Sequence, residues 1–153
     1  KNIPNLFLLG NNNLPKITTY SFVIKSKGGK VLHPNYVVCI LNDLFGIQTR
    51  SGCQCSAMYG QKVLGVSLQL TREMKSALMN GNSVLRIGFT RVNFNYFIDD
   101  EEIKYICDAI EFISEYGWIL MPHYEFDKRA GTWKNREEKE NTIRSWVGEV
   151  DYS

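Results

Sequence analysis

The stretch Pro34-Asn35-Tyr36-Val37-Val38-Cys39-Ile40-Leu41-Asn42-Asp43-Leu44-Phe45-Gly46-Ile47-Gln48-Thr49-Arg50 sets the frame of this chain. Pro34 suits the first turn of a helix, where its missing N–H costs nothing and its φ is already helical. Tyr36, Val37, Ile40, Leu41, Leu44 and Phe45 then recur at helical spacing and define an apolar face. Gly46 can close the helix in the left-handed conformation. Ile47 to Arg50 reads as a short strand, so a helix feeds directly into a strand here.

Upstream, Asn5 to Leu9 is a short apolar run, and Ile17 to Ile24 is rich in β-branched and aromatic residues. These predict two strands joined by a loop. Residues 25–30 hold two glycines and read as a turn. Downstream, Thr71 to Met79 predicts a helix stopped by Asn80-Gly81, and Val84 to Phe89 predicts a strand. Asp99 to Tyr116 predicts a helix that Asp99 caps and Glu102 locks in a capping box, with Ile103, Ile106, Cys107, Ile110 and Ile113 as its buried stripe. The expected architecture is α+β: a small, mainly antiparallel sheet with helices packed on one face. Residues 1–117 form the expected domain. Residues 118–153 are a charged extension, interrupted by Trp118, Trp133 and Trp146, that packs on it or stays partly exposed. Residues 136–147 could form an exposed helix.

Composition narrows the function. With 153 residues the chain is long enough for one well-packed domain. Its 18 Lys and Arg against 16 Asp and Glu leave a net charge of +2, too little to argue for nucleic acid or an anionic membrane. No apolar run approaches the length of a membrane span, and no signal peptide is visible. Four cysteines are sparse for a secreted disulfide scaffold, so an intracellular compartment, cytoplasmic or organellar, is expected. Cys39 and Cys107 lie within helical patterns and read as small buried hydrophobes. The chain starts at Lys1, which raises the expectation of a processed product or a piece of a longer protein.

Two places could carry chemistry. Cys55 follows Arg50 and Gly52 in an expected loop, where a fixed cation could stabilise a thiolate, although a loop thiol can equally be structural. Cys53 and Cys55 lack the spacing of a structural zinc site, and His33 and His123 each stand alone. Arg86 sits in the apolar run Val84-Leu85-Arg86-Ile87-Gly88-Phe89, where a cation needs a partner, an anionic ligand or a route to solvent. Arg91, Asn93 and Asn95 alternate with Phe94 and Tyr96. That interleaving can mark single-stranded nucleic acid, but the near-neutral charge argues against it.

His33 to Ser56, together with Arg86 to Tyr116, resembles the C-terminal part of class V aminotransferases of the cysteine desulfurase type. In that family a helix ends in Gly-Ile and an Arg-x-Gly-x-x-Cys run follows, matched here by Arg50, Gly52 and Cys55. About thirty residues on, an arginine and an asparagine precede a final helix, matched by Arg86 and Asn93. The chain departs from the family at Cys53-Gln54, where two histidines are common. It departs again at Ser56 and Met58, where an alanine and a proline are common. The resemblance implies a pyridoxal-phosphate enzyme, usually a homodimer, acting on an amino acid. It gives Arg86 the substrate α-carboxylate, Arg50 the mouth of the site and Cys55 the place of a sulfur-accepting cysteine. The family's cofactor lysine follows a histidine in the large domain. Neither histidine here precedes a lysine, so the expected cofactor belongs to a missing large domain and is not bound covalently by this chain. Two alternatives stay open: a free-standing thiol or metal module on Cys53 and Cys55, and an interaction domain without chemistry.

Overall fold

The computed structural model describes residues 2–11, 13–15, 17–26, 28–52, 57–81, 83–85, 88–128 and 131–137, with the side chains of 57–59 and 83 left aside. Cys53, Cys55, Arg86 and most of the stretch 136–147 lie outside the described residues.

The fold is α+β. Strands β1 (Leu6–Leu8), β2 (Thr19–Ile24), β3 (Arg50–Gly52) and β4 (Phe89–Asn93) form one sheet in the order β1-β2-β4-β3, with every pair antiparallel. Helices α1 (Pro34–Phe45) and α4 (Asp100–Leu120) pack on one face, while α2 (Ala57–Val63) and α3 (Leu68–Met79) lie between β3 and β4 in sequence. A second sheet pairs β5 (Tyr124–Asp127) with β6 (Thr132–Asn135).

Local chemistry explains the helix limits. Pro34 opens α1, and the His33 Nδ1 accepts from the Asn35 N–H at 3.1 Å as its cap. Gly46 closes it at φ 66°, its N–H bonding Asn42 O while the Ile47 N–H reaches back to Leu41 O. That closure uses the Ile47 N–H, so the strand expected from Ile47 starts later, at Arg50, where β4 comes within pairing range. The Ser67 Oγ caps α3, extending it one turn ahead of the expected Thr71 start. The Asp99–Glu102 capping box opens α4 as the sequence predicts. α4 runs past the expected end at Tyr116, because Gly117 is buried inside it. There the Tyr36 hydroxyl donates to Gly117 O at 2.7 Å, and Ile40 and Leu32 press on the bare Cα. The boundary drawn at residue 117 therefore falls within a helix.

The core joins Phe22 and Ile24 of β2, Val92 of β4, Tyr36, Val37, Ile40 and Leu41 of α1, and Ala109, Ile110 and Ile113 of α4. Burying each large side chain contributes about 1.5–3 kcal/mol, which fixes which way each strand faces. The described part of the extension carries a hairpin that packs on the domain. Trp133 of β6 packs at a tilt against Tyr36 at 5.1 Å and Phe126 at 5.6 Å, and Tyr124 meets Tyr36 edge-on at 5.4 Å.

Candidate functional site

The strand expected over Val84 to Phe89 is displaced. Ser83–Leu85 is a single 3-10 turn, and the strand is Phe89–Asn93. The alternation within it decides the register: Thr90 and Val92 are buried, while Arg91 and Asn93 point the other way. Thr90 and Ser51 both turn toward α1, where the Ser51 hydroxyl donates to Asn35 Oδ1 at 2.7 Å and Thr90 Oγ1 to Pro34 O at 3.5 Å. The Asn35 amide in turn donates to Gly131 O at 2.7 Å, so α1, β3 and the hairpin turn are pinned together.

With Ser51 and Thr90 facing the helices, Arg50 and Arg91 face away from them. The register pairs these two arginines directly across the β3–β4 ladder, with Ser21 of β2 opposite Arg91 on its other side. Arg50 is exposed and Arg91 half-buried. Like charges directly opposite one another on a sheet are unfavourable. Among the described residues neither arginine is in an ion pair. A carboxylate or other anion between the two guanidinium groups would turn that repulsion into two charge-assisted contacts. Asn93 continues the polar strip, accepting from Thr19 Oγ1 at 2.8 Å and Thr18 Oγ1 at 3.2 Å.

One backbone contact ties this strip to the cysteine loop. A Cβ at Gly88 would stand 2.6 Å from the Gly52 Cα, so only glycine lets the two chains approach. Gly52 is the last described residue before Cys53-Gln54-Cys55-Ser56, and Gly88 follows Arg86 by two. The described residues flanking both expected elements are thus in contact, although Cys55 and Arg86 themselves lie outside the description. The sequence marks Arg91 only through its alternation with Asn93, Asn95 and the neighbouring aromatics, a pattern weighed for nucleic acid and not for a carboxylate. The strand alternation Phe89-Thr90-Arg91-Val92-Asn93 is the signal that sets Arg91 opposite Arg50.

The remaining candidates sit elsewhere. Cys39 is half-buried in α1, its thiol placed against Asp43 Oδ2 at 3.4 Å and Trp133 O at 3.2 Å. It borders a polar cleft of about 460 Å³ shared with Asn42, Gln48 and Thr49. Cys107, also half-buried, lines an apolar cleft of about 500 Å³ between the sheet and the first half of α4, beside Tyr20, Phe94 and Ile103. Neither thiol is as fully buried as the sequence suggests, because each lies at the rim of the core. Burial pushes the Tyr36 and Tyr124 phenols well above their ordinary range, with Cys39 adding to both and Asp43 to Tyr124. Burial lowers the His33 pKa, and the nearby Val84 backbone opposes this without completing a hydrogen bond at the buried Nε2.

Covalent capture of pyridoxal phosphate needs an enclosed lysine with an acid partner for the ring nitrogen. The described lysines do not fit. Lys30, Lys62, Lys75, Lys104, Lys128 and Lys134 are exposed, and Lys25 lies over the Phe7 ring. Among the described residues no group of three or more His, Cys, Asp or Glu is placed to hold a metal ion. No described helix is long and apolar enough to cross a membrane. Comparison with protein families, with curated proteins and with solved structures finds no match to this chain.

Proposed function

We propose that this chain is the C-terminal small domain of an intracellular class V aminotransferase-like enzyme of the cysteine desulfurase type. It supplies the substrate-carboxylate side of a site whose pyridoxal phosphate is held by a separate large domain. The observation that carries this reading is the Arg50–Arg91 pair, two cations in register on the sheet face turned away from α1 and α4, neither in an ion pair among the described residues, with Arg50 on the strand that leads into the cysteine loop. In this reading Arg91 grips the α-carboxylate of an amino acid and Arg50 completes the anion site. Arg86, the residue the resemblance favours, competes with Arg91 for that role. Cys55 is the candidate sulfur acceptor, with the Arg50 strand immediately before it. The parent is a homodimer, as the family usually is.

The cofactor supplies the electron sink, and this chain's part is to orient the substrate and offset its charge. The test is to clone the full reading frame that encodes this chain. The purified product should carry a visible pyridoxal-phosphate chromophore that is lost when the lysine of an upstream His-Lys pair is replaced. The 153-residue chain alone should not take up the cofactor. A full-length product without the chromophore, or a short chain that captures the cofactor through its own lysine, would overturn the reading.

A further inference from the structure

α4 has a second apolar face that the domain does not use. Ile110, Ile113 and Gly117 turn into the core. On the flank of the helix, Tyr105, Phe112 and Ile119 recur at seven-residue spacing with Tyr116 beside them, and they remain 52%, 41%, 50% and 46% exposed. They form one surface. The Phe45 ring stands 6.4 Å from Tyr105 and 5.7 Å from Phe112, and Phe112 is 5.1 Å from Tyr116. The Tyr105 hydroxyl donates to Phe45 O at 3.0 Å, so the surface is preformed. A contiguous aromatic patch with a polar border marks an interaction site more often than it marks bare surface.

The border has one sign. Glu101, Asp108 and Glu115 run beside the stripe at the same seven-residue spacing, and α4 as a whole carries six acids against one lysine. That lysine, Lys104, is paired with Asp108 at 2.7 Å. A second copy of this helix would set acidic rows against each other, which disfavours self-association. Heptad spacing of large apolar groups suits a helix laid alongside. We infer that the outer face of α4 docks an amphipathic helix of a partner protein, with Leu-like residues meeting Tyr105, Phe112, Tyr116 and Ile119 and a Lys/Arg flank meeting Glu101 and Glu115. This inference stands independently of the proposed pyridoxal-phosphate chemistry.

The test uses a fluorescein-labelled peptide of two Leu-Lys-Lys-Leu-Leu-Lys-Leu repeats, titrated against the 153-residue chain by anisotropy. Saturable one-to-one binding is expected, with backbone amide shifts confined to residues 105–119 and the end of α1. Both the double variant Tyr116→Gln/Ile119→Gln and the double variant Glu101→Gln/Glu115→Gln should weaken it by about tenfold or more. Circular dichroism should show each variant folded, and the amide shifts locate the wild-type contact whatever the variants do. Equal binding of a Leu/Glu peptide, or unchanged affinity in both variants, would overturn the inference. So would amide shifts gathered at the Tyr20–Cys107 cleft. Sedimentation showing a dimer that Ile119→Gln returns to monomer would assign the face to a second copy instead.

Discussion

Gly52 and Gly88 touch backbone to backbone: a methyl group at 88 would meet the Gly52 Cα at 2.6 Å, its carbonyl carbon at 2.8 Å and its nitrogen at 3.1 Å. This contact sets the distance between β3 and the start of β4, and with it the spacing of Arg50 and Arg91, two ladder positions from the Gly52–Phe89 pair. Gly88→Ala should therefore act as overpacking against backbone, costing about 1–3 kcal/mol because no flexible side chain can give way. Gly52→Ala should also cost stability, but through its φ of +107°, since nothing stands near its Cα on the open side. Urea denaturation of the two variants checks this. A Gly88→Ala midpoint equal to wild type would mean that the strands can part without loss.

His33 makes stability depend on pH. Its Nδ1 caps α1 by accepting the Asn35 N–H, which only the neutral ring can do, and burial holds its pKa below the ordinary 6.5. The unfolded chain therefore binds the proton first. Stability is full above 6.5, falls as pH drops through 6.5 toward the lower folded-state value, and then levels off. One proton sets a limit of about 1.4 kcal/mol per pH unit. His33→Asn keeps a side-chain cap and removes the titration. The expected outcome is a difference in urea midpoint between about pH 7.5 and 5.5 that is smaller in the Asn variant than in wild type. Identical pH profiles would assign the dependence to other groups.

The β5–β6 hairpin stabilises the domain through one ring. Trp133 touches Tyr36, Phe126 and His33, while its indole N–H is buried without a partner among the described residues. Trp133→Ala should cost toward the lower end of the roughly 3–5 kcal/mol typical of a buried Trp, since Trp133 is only partly enclosed. Trp133→Phe keeps the ring contact and removes the orphaned donor, so it should be close to neutral. Trp118→Ala, on an exposed position of α4, should change little. Thermal melts of the three variants decide the matter. Equal losses for Trp133→Ala and Trp118→Ala would mean the hairpin is a passive appendage.

What the sequence made legible was what local chemistry decides. Pro34, Gly46 and the Asp99–Glu102 box mark helix ends through their own backbone and side-chain bonds, so α1 and the start of α4 could be read directly. The position of β4 could not. Val84 to Phe89 is as apolar as a strand should be, but strand identity came from pairing with β2 and from the glycine contact at 52 and 88, which are tertiary facts. The displaced strand sets Arg91 opposite Arg50, while Arg86 lies outside the described residues. The hairpin was hidden for a similar reason: Tyr124 and Trp133 are isolated among charged residues, and only the Tyr36 ring beneath them makes them part of a core. Cys55 was visible as chemistry through its neighbours Arg50 and Gly52, and its own placement lies outside the described residues.

The central claim is that the Arg50–Arg91 pair receives a substrate carboxylate, and the most direct measurement is amino-acid affinity by cofactor absorbance titration in the proposed full-length enzyme. Arg91→Lys keeps the charge but loses the planar fork, so binding should weaken by about ten- to a hundredfold, the equivalent of the roughly 1.5–3 kcal/mol carried by a charge-assisted bond. Arg50→Lys should weaken it less, because Arg50 is the more exposed of the two. Arg86→Lys should leave affinity near wild type. Wild-type affinity in Arg91→Lys would contradict the account, and a loss confined to Arg86→Lys would return the carboxylate to the arginine that the family resemblance names.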